Sequence, residues 1–226
     1  MNPIPTSDLE YCCHLDLDLY DAPSCERLAT QAAAGRHLRF LSATPTGKAM
    51  LICSCEDGYE SWLPVEKVSL LEPVSTVYHS RTISRSEIEK QIRAIIAFTQ
   101  EKMKQPNHYL WGGNIGPNFD CSGLVQAAFA HSNIWLPRDS YQQEAFTATI
   151  TVEELQVGDL IFFGTKEKVN HVALHLGDLF YIHSSGKEKG RNGIGIDRLD
   201  PFYNKVSQSY YHQFWGCGRV MSNYIP

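Results

Sequence analysis

The chain has 226 residues, of which 43% are hydrophobic and 20% are charged, and this composition is typical of a folded protein with one or two domains. The formal net charge of -5 argues against broad electrostatic binding to nucleic acid or to an anionic membrane, because both require basic stripes on the protein. The opening stretch MNPIPTSDLEY shows no basic segment followed by an apolar core, and no later run has the length of a membrane span. We therefore expect a cytoplasmic location.

The cysteines favour reduced thiols over a disulfide framework. The chain has seven, an odd number, at positions 12, 13, 25, 53, 55, 121 and 217. Neither the adjacent pair Cys12 and Cys13 nor the pair Cys53 and Cys55 has the gap of about two to four residues that separates paired zinc ligands. The sequence thus predicts no structural metal, and nothing in it implies a cofactor.

Residues from about 15 to 71 have the pattern of short strands. The segments HLRFLS, KAMLICS and YESWLP carry apolar, β-branched and aromatic residues between turn-forming Gly, Pro, Asp and Thr. This pattern predicts a small β-barrel, which we assign to residues 1–75. The strand pattern is lost in EPVSTVYHSRTISR, which predicts a linker at 76–85 ahead of a second domain at 86–226.

A long amphipathic helix is predicted at the start of the second domain. Ser84 followed by Glu87 forms a capping-box pattern, and the helix has to end before Pro106. The residues that recur on one helical face are Ile88, Ile92, Ile95, Ile96, Thr99 and Met103. The glycine-rich loop WGGNIGPN follows at 111–118 and has neither GxGxxG nor a P-loop lysine, so we expect its glycines to give a substrate close access rather than to bind phosphate.

The stretch NFDCSGLVQAAF predicts a helix that begins at a cysteine. Asp120 is a favourable N-cap residue, and Cys121 starts a buried stripe that continues through Leu124, Val125 and Ala128. The partial positive charge at a helix N-terminus favours a thiolate, which is the reactive form of cysteine. The alternative is a small buried cysteine that opens a core helix and has no chemistry.

Strands dominate the second half of the chain. The segments DLIFFG, NHVALHLG, LFYIHSS and FWGCGRV predict an antiparallel sheet against which the cysteine helix packs, so the expected fold class is α+β. His171 and His183 lie on the two arms of a predicted hairpin and are candidates for a base and its orienting group. His175 shares a face with His171, lies roughly 13 Å further along the strand, and competes for the base role. Spacing alone leaves open a papain-like Cys–His pair and a His/His/Cys zinc site.

Strand parity constrains this hairpin. Paired residues in a regular antiparallel ladder have a constant index sum, and His171 and His183 share a face only if that sum is even. A two-residue turn at Gly177 and Asp178 gives an odd sum and puts the two rings on opposite faces. We therefore predict a loop of odd length or a β-bulge.

The combined motifs resemble a known family. HYLWGGNIGPNFDCSGLVQAAF, LPRDSYQQ, ELQVGDLIFF, NHVALHLG and FYIHSSG are similar in order and spacing to the NlpC/P60 cysteine peptidases over most of residues 86–226. The resemblance implies a papain-like fold in which Cys121 is the nucleophile, His171 the base and His183 the third member. Tyr109 and the backbone N–H of Cys121 are candidate oxyanion donors.

The first domain resembles a bacterial SH3 module, most clearly at DGYESWLPVEKV. Together with the RDS triplet at 138–140, this pairing is similar to the γ-D-glutamyl-L-diamino acid endopeptidases, which act on peptidoglycan peptides with a free N-terminal L-Ala. The resemblance implies that Asp139, Ser140 and Tyr59 form the subsite for the substrate amino terminus. Candidate substrate-contacting residues come from both domains and are Tyr59, Trp111, Asp120, Ser122, Arg138, Asp139 and Ser140.

The function expected from the sequence is a monomeric cysteine endopeptidase that recycles cell-wall peptides. One alternative is an NlpC/P60-type amidase or acyltransferase on another substrate. Another is a non-enzymatic wall-binding protein, against which the intact Cys121, His171 and His183 argue. Without the resemblance, Arg138 and Asp139 would be interpreted as a solvated loop pair.

Overall fold

The computed structural model describes residues 9–226, so the part of the predicted first domain before residue 9 lies outside the described residues. In the described part of the N-terminal domain, seven strands form an antiparallel sheet. In chain order these are β1 (Glu10–Cys13), β2 (Leu17–Tyr20), β3 (Leu28–Ala32), β4 (His37–Phe40), β5 (Ala49–Ser54), β6 (Glu60–Pro64) and β7 (Leu71–Pro73). Their order in the sheet is β3-β2-β6-β5-β4-β1-β7.

Alternating polarity explains these strands. In β2, Leu17 and Leu19 are buried while Asp18 between them is exposed, as expected for a strand with one face on a core. The predicted segments HLRFLS, KAMLICS and YESWLP form β4, β5 and β6. Their inward side chains, including Leu38 and Phe40, build a core that is separate from that of the second domain.

Helix α1 (Arg85–Lys104) begins where the capping box predicts. The backbone N–H of Ser84 donates to the Glu87 carboxylate at 2.8 Å, so one helix-start donor is satisfied. The residues of α1 that are buried are Ile88, Ile92, Ile95 and Thr99, and Ile96 and Met103 pack partly buried against the same core. The predicted helical face is confirmed.

The second domain is a six-stranded antiparallel sheet with helices on both faces. Besides α1, its α-helices are α2 (Cys121–Ala130), α3 (Ser140–Phe146) and α4 (Lys205–Tyr211). The strands are β8 (Ala148–Ile150), β9 (Leu160–Gly164), β10 (Val169–Gly177), β11 (Phe180–Ser185), β12 (Gly193–Arg198) and β13 (Phe214–Arg219). The strand order is β12-β11-β10-β9-β13-β8. Core residues from α1 and α2 cover one face of the sheet, and core residues from α4 cover the other. The predicted α+β fold is confirmed.

The β10–β11 hairpin contains the predicted irregularity. His175 pairs with Tyr181, and the register shifts between His175 and Gly177. The extra residue of this bulge makes the index sum even over the rest of the ladder, which places His171 and His183 on one face of the sheet. The parity prediction is confirmed.

Three further observations concern the part of the chain that the structure describes. Within residues 9–226, no helix has both the length and the apolar character that crossing a bilayer requires. All seven cysteines lie in this range and none is in a disulfide. No cluster of three His, Cys, Asp or Glu side chains in the same range is arranged to hold a metal ion.

Candidate active site

The thiol of Cys121 lies at the first residue of α2, as the sequence predicts. The Asp120 carboxylate caps this helix by accepting the backbone N–H of Gly123 at 2.6 Å. The sulfur accepts backbone hydrogen bonds from Ser122 and from Val172 of β10. Cys121 therefore sits beside the peptide bond that follows His171.

The electrostatic environment of this thiol differs from the expectation. Burial, followed by the adjacent Asp120 carboxylate, raises the pKa of Cys121 to about 12. Backbone donors and Arg138 act in the opposite direction but are weaker. The prediction that the helix N-terminus makes Cys121 a thiolate is wrong for the resting protein, because desolvation and the capping carboxylate outweigh the helix dipole.

Three side chains on adjacent strands form a continuous hydrogen-bonded series. His171 of β10 and His183 of β11 meet through Nε2 and Nδ1 at 2.7 Å. His183 Nε2 lies 2.9 Å from Oδ2 of Asp197 on β12. All three side chains are buried, so the contacts are shielded from water.

The carboxylate at one end of the series sets the tautomers of both rings. Although burial opposes ionisation, hydrogen bonds from His183 and Asn204 hold the pKa of Asp197 below its ordinary value. An ionised carboxylate only accepts, so His183 Nε2 carries the proton and its Nδ1 accepts from His171 Nε2. This leaves the lone pair of His171 on Nδ1, the nitrogen that no hydrogen bond within residues 9–226 uses.

Asp197 is the main residue of the candidate site that the sequence did not reveal. Its carboxylate also accepts from Arg191 Nη2 at 2.6 Å and from Asn204 Nδ2 at 2.8 Å, so it is held from both sides. The alternating segment GIGIDR at 193–198 carries a strand signal directly after FYIHSS. That signal could have revealed a third strand beside the two histidines. His183, the third residue of the predicted triad, is therefore hydrogen-bonded to a carboxylate.

Tyr210 of α4 covers the His171 ring. The two rings stack with centroids 4.4 Å apart and an interplanar angle of 29°, and the Tyr210 hydroxyl is 2.7 Å from Ser185 Oγ. Burial, followed by the neighbouring His183, lowers the pKa of His171 well below 6.5. The imidazole is therefore neutral at pH 7 and able to take up a proton.

His175, the competitor for the base role, belongs to a different environment. Its Nδ1 lies 2.9 Å from the backbone oxygen of Gln156, and its ring is buried at the far end of β10. Its Nε2 has no hydrogen-bond partner within residues 9–226. The geometry thus associates His183, and not His175, with His171.

A cleft of about 390 Å³ between the two domains exposes the site. Its walls are formed by Asp21, Arg27, Ala29, Tyr59, Tyr109, Trp111, Asp120, Cys121, Ser122, Asp139, Ser140, Tyr141, Lys168, Val169 and Asn170. Of the residues assigned catalytic, oxyanion or substrate-contacting roles in the sequence, Arg138, His171 and His183 are absent from these walls. The two histidines lie behind the cleft, and the thiol is the reactive group that faces it.

Asp139 lines the cleft together with two phenols. The hydroxyls of Tyr59, from the N-terminal domain, and of Tyr141 hydrogen-bond to it. Burial raises the pKa of Asp139, which means that its negative charge is poorly solvated. Within residues 9–226 it has no cation at ion-pair distance, so it is placed to receive a cation from a ligand. Tyr141 was not identified from the sequence.

Arg138 requires a correction. The sequence predicts that it contacts substrate, but its side chain is 1% exposed and does not line the cleft. Its guanidinium donates to Asp120 through Nη1 at 3.1 Å and Nη2 at 2.7 Å, and to Ser122 Oγ at 3.1 Å. The physical reason is that the N-cap carboxylate is buried and needs a cation. Arg138 therefore supports the helix start from behind.

The glycine-rich loop also serves a different purpose from the one expected. Gly112 has φ +76°, and a Cβ on it would lie 2.8 Å from the backbone oxygen of Leu28 in β3. Its backbone N–H donates to Asp120 Oδ2 at 2.9 Å. The absence of a side chain thus allows close contact with the N-terminal domain, and the expectation that these glycines give substrate its access is not supported at Gly112. Tyr109, which precedes this loop, lines the cleft.

Comparison with known proteins identifies both domains. The model of the NlpC/P60 family matches residues 106–219, and the model described as the bacterial dipeptidyl-peptidase SH3 domain matches residues 19–68. A γ-D-glutamyl-L-lysine dipeptidyl-peptidase of Bacillus cereus is 42% identical over 84 residues, which are 36% of this chain and 25% of that protein. Dipeptidyl-peptidase 6 of Lysinibacillus sphaericus is 37% identical over 101 residues, which are 43% of this chain and 34% of that protein.

A solved structure shares the architecture of both domains. The crystal structure of an NlpC/P60 family protein from Bacillus cereus aligns with a TM-score of 0.51 and 24% identity, over 94% of this chain and 64% of that one. At this identity the likeness concerns the fold. The chain spans only a quarter to a third of the length of the two curated relatives described above.

Proposed function

Because the chain belongs to the NlpC/P60 family and its cleft brings a thiol beside a hydrogen-bonded histidine pair, we propose that it is a cysteine endopeptidase of peptidoglycan peptides. The proposed cleavage is hydrolysis of the bond between γ-D-Glu and the diamino acid in peptides with a free N-terminal L-Ala. The observation that carries the proposal is the series from Asp197 through His183 to His171. His171 directly precedes Val172, whose backbone N–H donates to the sulfur of Cys121, and Cys121 lines the same cleft as Asp139.

In the proposed mechanism, proton transfer accompanies attack by the sulfur. The thiol is protonated and His171 is neutral at pH 7, since the pKa of Cys121 is raised to about 12 and that of His171 is lowered. As Sγ bonds to the γ-carbonyl carbon of D-Glu, the thiol proton passes to His171 Nδ1. The imidazolium is stabilised because His171 Nε2–H donates to His183, which is in turn bonded to Asp197.

Collapse of the tetrahedral intermediate releases the diamino-acid portion. The backbone N–H of Cys121 and the hydroxyl of Tyr109 are the proposed donors to the oxyanion. His171 returns its proton to the leaving nitrogen as the C–N bond breaks, which leaves a thioester on Cys121. His171 then takes a proton from water, whose oxygen attacks the thioester, and the proton returns to the sulfur as the C–S bond breaks.

Substrate selection is assigned to the part of the cleft wall formed by Asp139. An ammonium there would receive a charge-assisted hydrogen bond and relieve the poorly solvated carboxylate. The names of two relatives support this choice of substrate class, since both are called dipeptidyl-peptidases and one of them acts on a γ-D-glutamyl-L-lysine linkage. We extend the proposal to recycling of released wall peptides in the cytoplasm by a monomer.

The test is hydrolysis of L-Ala-γ-D-Glu-diaminopimelate, with L-Ala-D-Glu and free diaminopimelate measured by liquid chromatography and mass spectrometry. The expected result is product from the free peptide and none from the Cys121→Ser variant. Absence of product from both the free peptide and its N-acetylated form would overturn the proposal. Transfer of the acyl group to an added amine in preference to water would identify an acyltransferase instead.

A further inference from the structure

Arg138 connects the nucleophile helix to the N-terminal domain. Besides its two bonds to Asp120, its Nε donates to Thr30 Oγ1 at 2.8 Å. Thr30 lies on β3 of the N-terminal domain and is 2% exposed. The buried guanidinium therefore bridges a hydroxyl of one domain and the N-cap of the helix that begins at Cys121.

Other contacts hold β3 against the second domain at the same place. The backbone N–H of Gln31 donates to Asn114 Oδ1 at 3.0 Å, and Gln31 Oε1 accepts from the backbone of Asn114 and of Ile115 at 3.2 Å each. On the neighbouring side, Gln126 of α2 donates to Asp57 at 2.9 Å. The position of Thr30 relative to Arg138 is thus fixed by several bonds across the interface.

We propose that Thr30 is a positioning residue for Cys121: its hydroxyl fixes the Arg138 guanidinium, which holds the Asp120 N-cap and thereby the start of α2. In this proposal the N-terminal domain helps to position the Cys121 thiol, in addition to supplying Tyr59 to the cleft. The inference rests on the proposed role of Cys121 as nucleophile.

Two geometric facts explain how the Thr30 hydroxyl can act on Cys121, and an electrostatic effect agrees with them. A guanidinium donates in fixed directions within one plane, so the bond at Nε determines how the two Nη groups face Asp120. The site is closed to solvent, so a lost acceptor at Nε cannot be replaced by bulk water. Arg138 also counteracts the effect of Asp120 on the pKa of Cys121, so a rotated guanidinium would leave the thiol harder to ionise.

The test compares variants of Thr30 that differ in one group. Thr30→Val replaces the hydroxyl with a methyl, whereas Thr30→Ala and Thr30→Ser both lack the methyl and differ only in the hydroxyl. Ser61→Ala is the matched control, because Ser61 is a buried hydroxyl of the same domain whose oxygen has no partner within residues 9–226. Folding is checked by circular dichroism and thermal melting.

Two rates are measured for each variant. The first is kcat on L-Ala-γ-D-Glu-diaminopimelate, and the second is alkylation of Cys121 by iodoacetamide, followed by peptide mass spectrometry so that the other cysteines do not interfere. Alkylation reports on the thiol without requiring a peptide in the cleft. We expect Thr30→Val and Thr30→Ala to lower kcat by about tenfold to 100-fold and to slow alkylation, because a displaced reacting group loses rate steeply. Thr30→Ser and Ser61→Ala should stay within about twofold of wild type.

The outcomes separate the positioning role from its alternatives. An equal decrease of kcat and of the alkylation rate in Thr30→Ser and Thr30→Ala would overturn it, because the missing methyl group, and not the hydroxyl, would then explain the decrease. A lower kcat with unchanged alkylation would overturn it as well, since Thr30 would then act on the substrate. If Thr30→Val does not fold, the comparison of Thr30→Ala with Thr30→Ser tests the role of the hydroxyl. If wild type hydrolyses no peptide but the expected alkylation pattern appears, the substrate proposal fails and the positioning role stands.

Discussion

The proposed recognition of a free amino terminus makes a sharp prediction about N-acetylated substrate. Acetylation removes the charge of the amine and adds volume. Asp139 would then face a neutral group while keeping its hydrogen bonds to Tyr59, to Tyr141 and to the backbone N–H of Gln142 in the capping box of α3. We therefore expect kcat/KM to fall strongly for the capped peptide.

The size of the effect follows from the burial of Asp139. Breaking a buried ion pair costs about 3 to 5 kcal/mol. Asp139 is half-buried at the wall of an open cleft, so the lower end of that range, about 3 kcal/mol, is appropriate. Since about 1.4 kcal/mol corresponds to a factor of ten, the expected preference for free over capped peptide is on the order of 100-fold.

The pH dependence has a definite sign. Burial raises the pKa of Asp139 above 3.8, so on acidification it loses its charge at a higher pH than an ordinary aspartate does. The ratio of kcat/KM for free over capped peptide should therefore reach its maximum at pH values well above the raised pKa of Asp139. This ratio should decrease as the pH falls through that pKa.

The assay measures kcat/KM for both peptides with wild type and two variants. Asp139→Asn keeps the shape of the side chain and removes its charge, so the preference should shrink to about tenfold or less. Asp21→Asn is the control, because Asp21 also lines the cleft but is already paired with Arg27. If wild type cleaves the free and capped peptides equally well, Asp139 does not recognise the amine, and action on intact, cross-linked wall becomes the better hypothesis.

Four further predictions test other parts of the site. Cys121→Ser should abolish turnover and leave the melting temperature unchanged, and comparable activity would exclude Cys121 as nucleophile. Asp197→Asn should lower kcat by about 100-fold or more, because an amide can donate to His183 and impose the wrong tautomer on His171. A kcat within twofold of wild type would show that Asp197 does not set the tautomer of His171. Tyr59→Phe should lower kcat/KM for the free peptide by about tenfold through loss of a hydrogen bond to a charged group, and an unchanged value would leave Tyr59 without a role in binding. Below pH 6.5, His171 and His183 bind protons in the unfolded chain but remain neutral in the folded protein, because burial lowers the pKa of both. As the pH falls below 6.5, the free energy of unfolding should therefore decrease by up to about 1.4 kcal/mol per pH unit for each histidine. A melting temperature that does not change between pH 7 and pH 5 would refute their burial in the neutral form.

Local chemistry determined much of what the sequence predicts. Helix starts at Ser84 and Asp120 depend on a side chain satisfying backbone donors within three residues, so they are encoded in a few consecutive letters. The strands that carry His171 and His183 follow from hydrophobic pattern and turn chemistry. Even the hairpin bulge followed from sequence, because requiring both rings on one face excludes a regular two-residue turn.

The tertiary structure decided which groups meet and how well water solvates them. Asp197 follows His183 by fourteen residues and reaches it only because β12 pairs with β11, and Arg138 reaches Asp120 and Thr30 across two domains. The pKa of Cys121 likewise depends on burial and on a neighbouring carboxylate, which outweigh the helix N-terminus visible in the sequence. Contact across strands and desolvation are properties of the packed molecule, and no local pattern of letters encodes either of them.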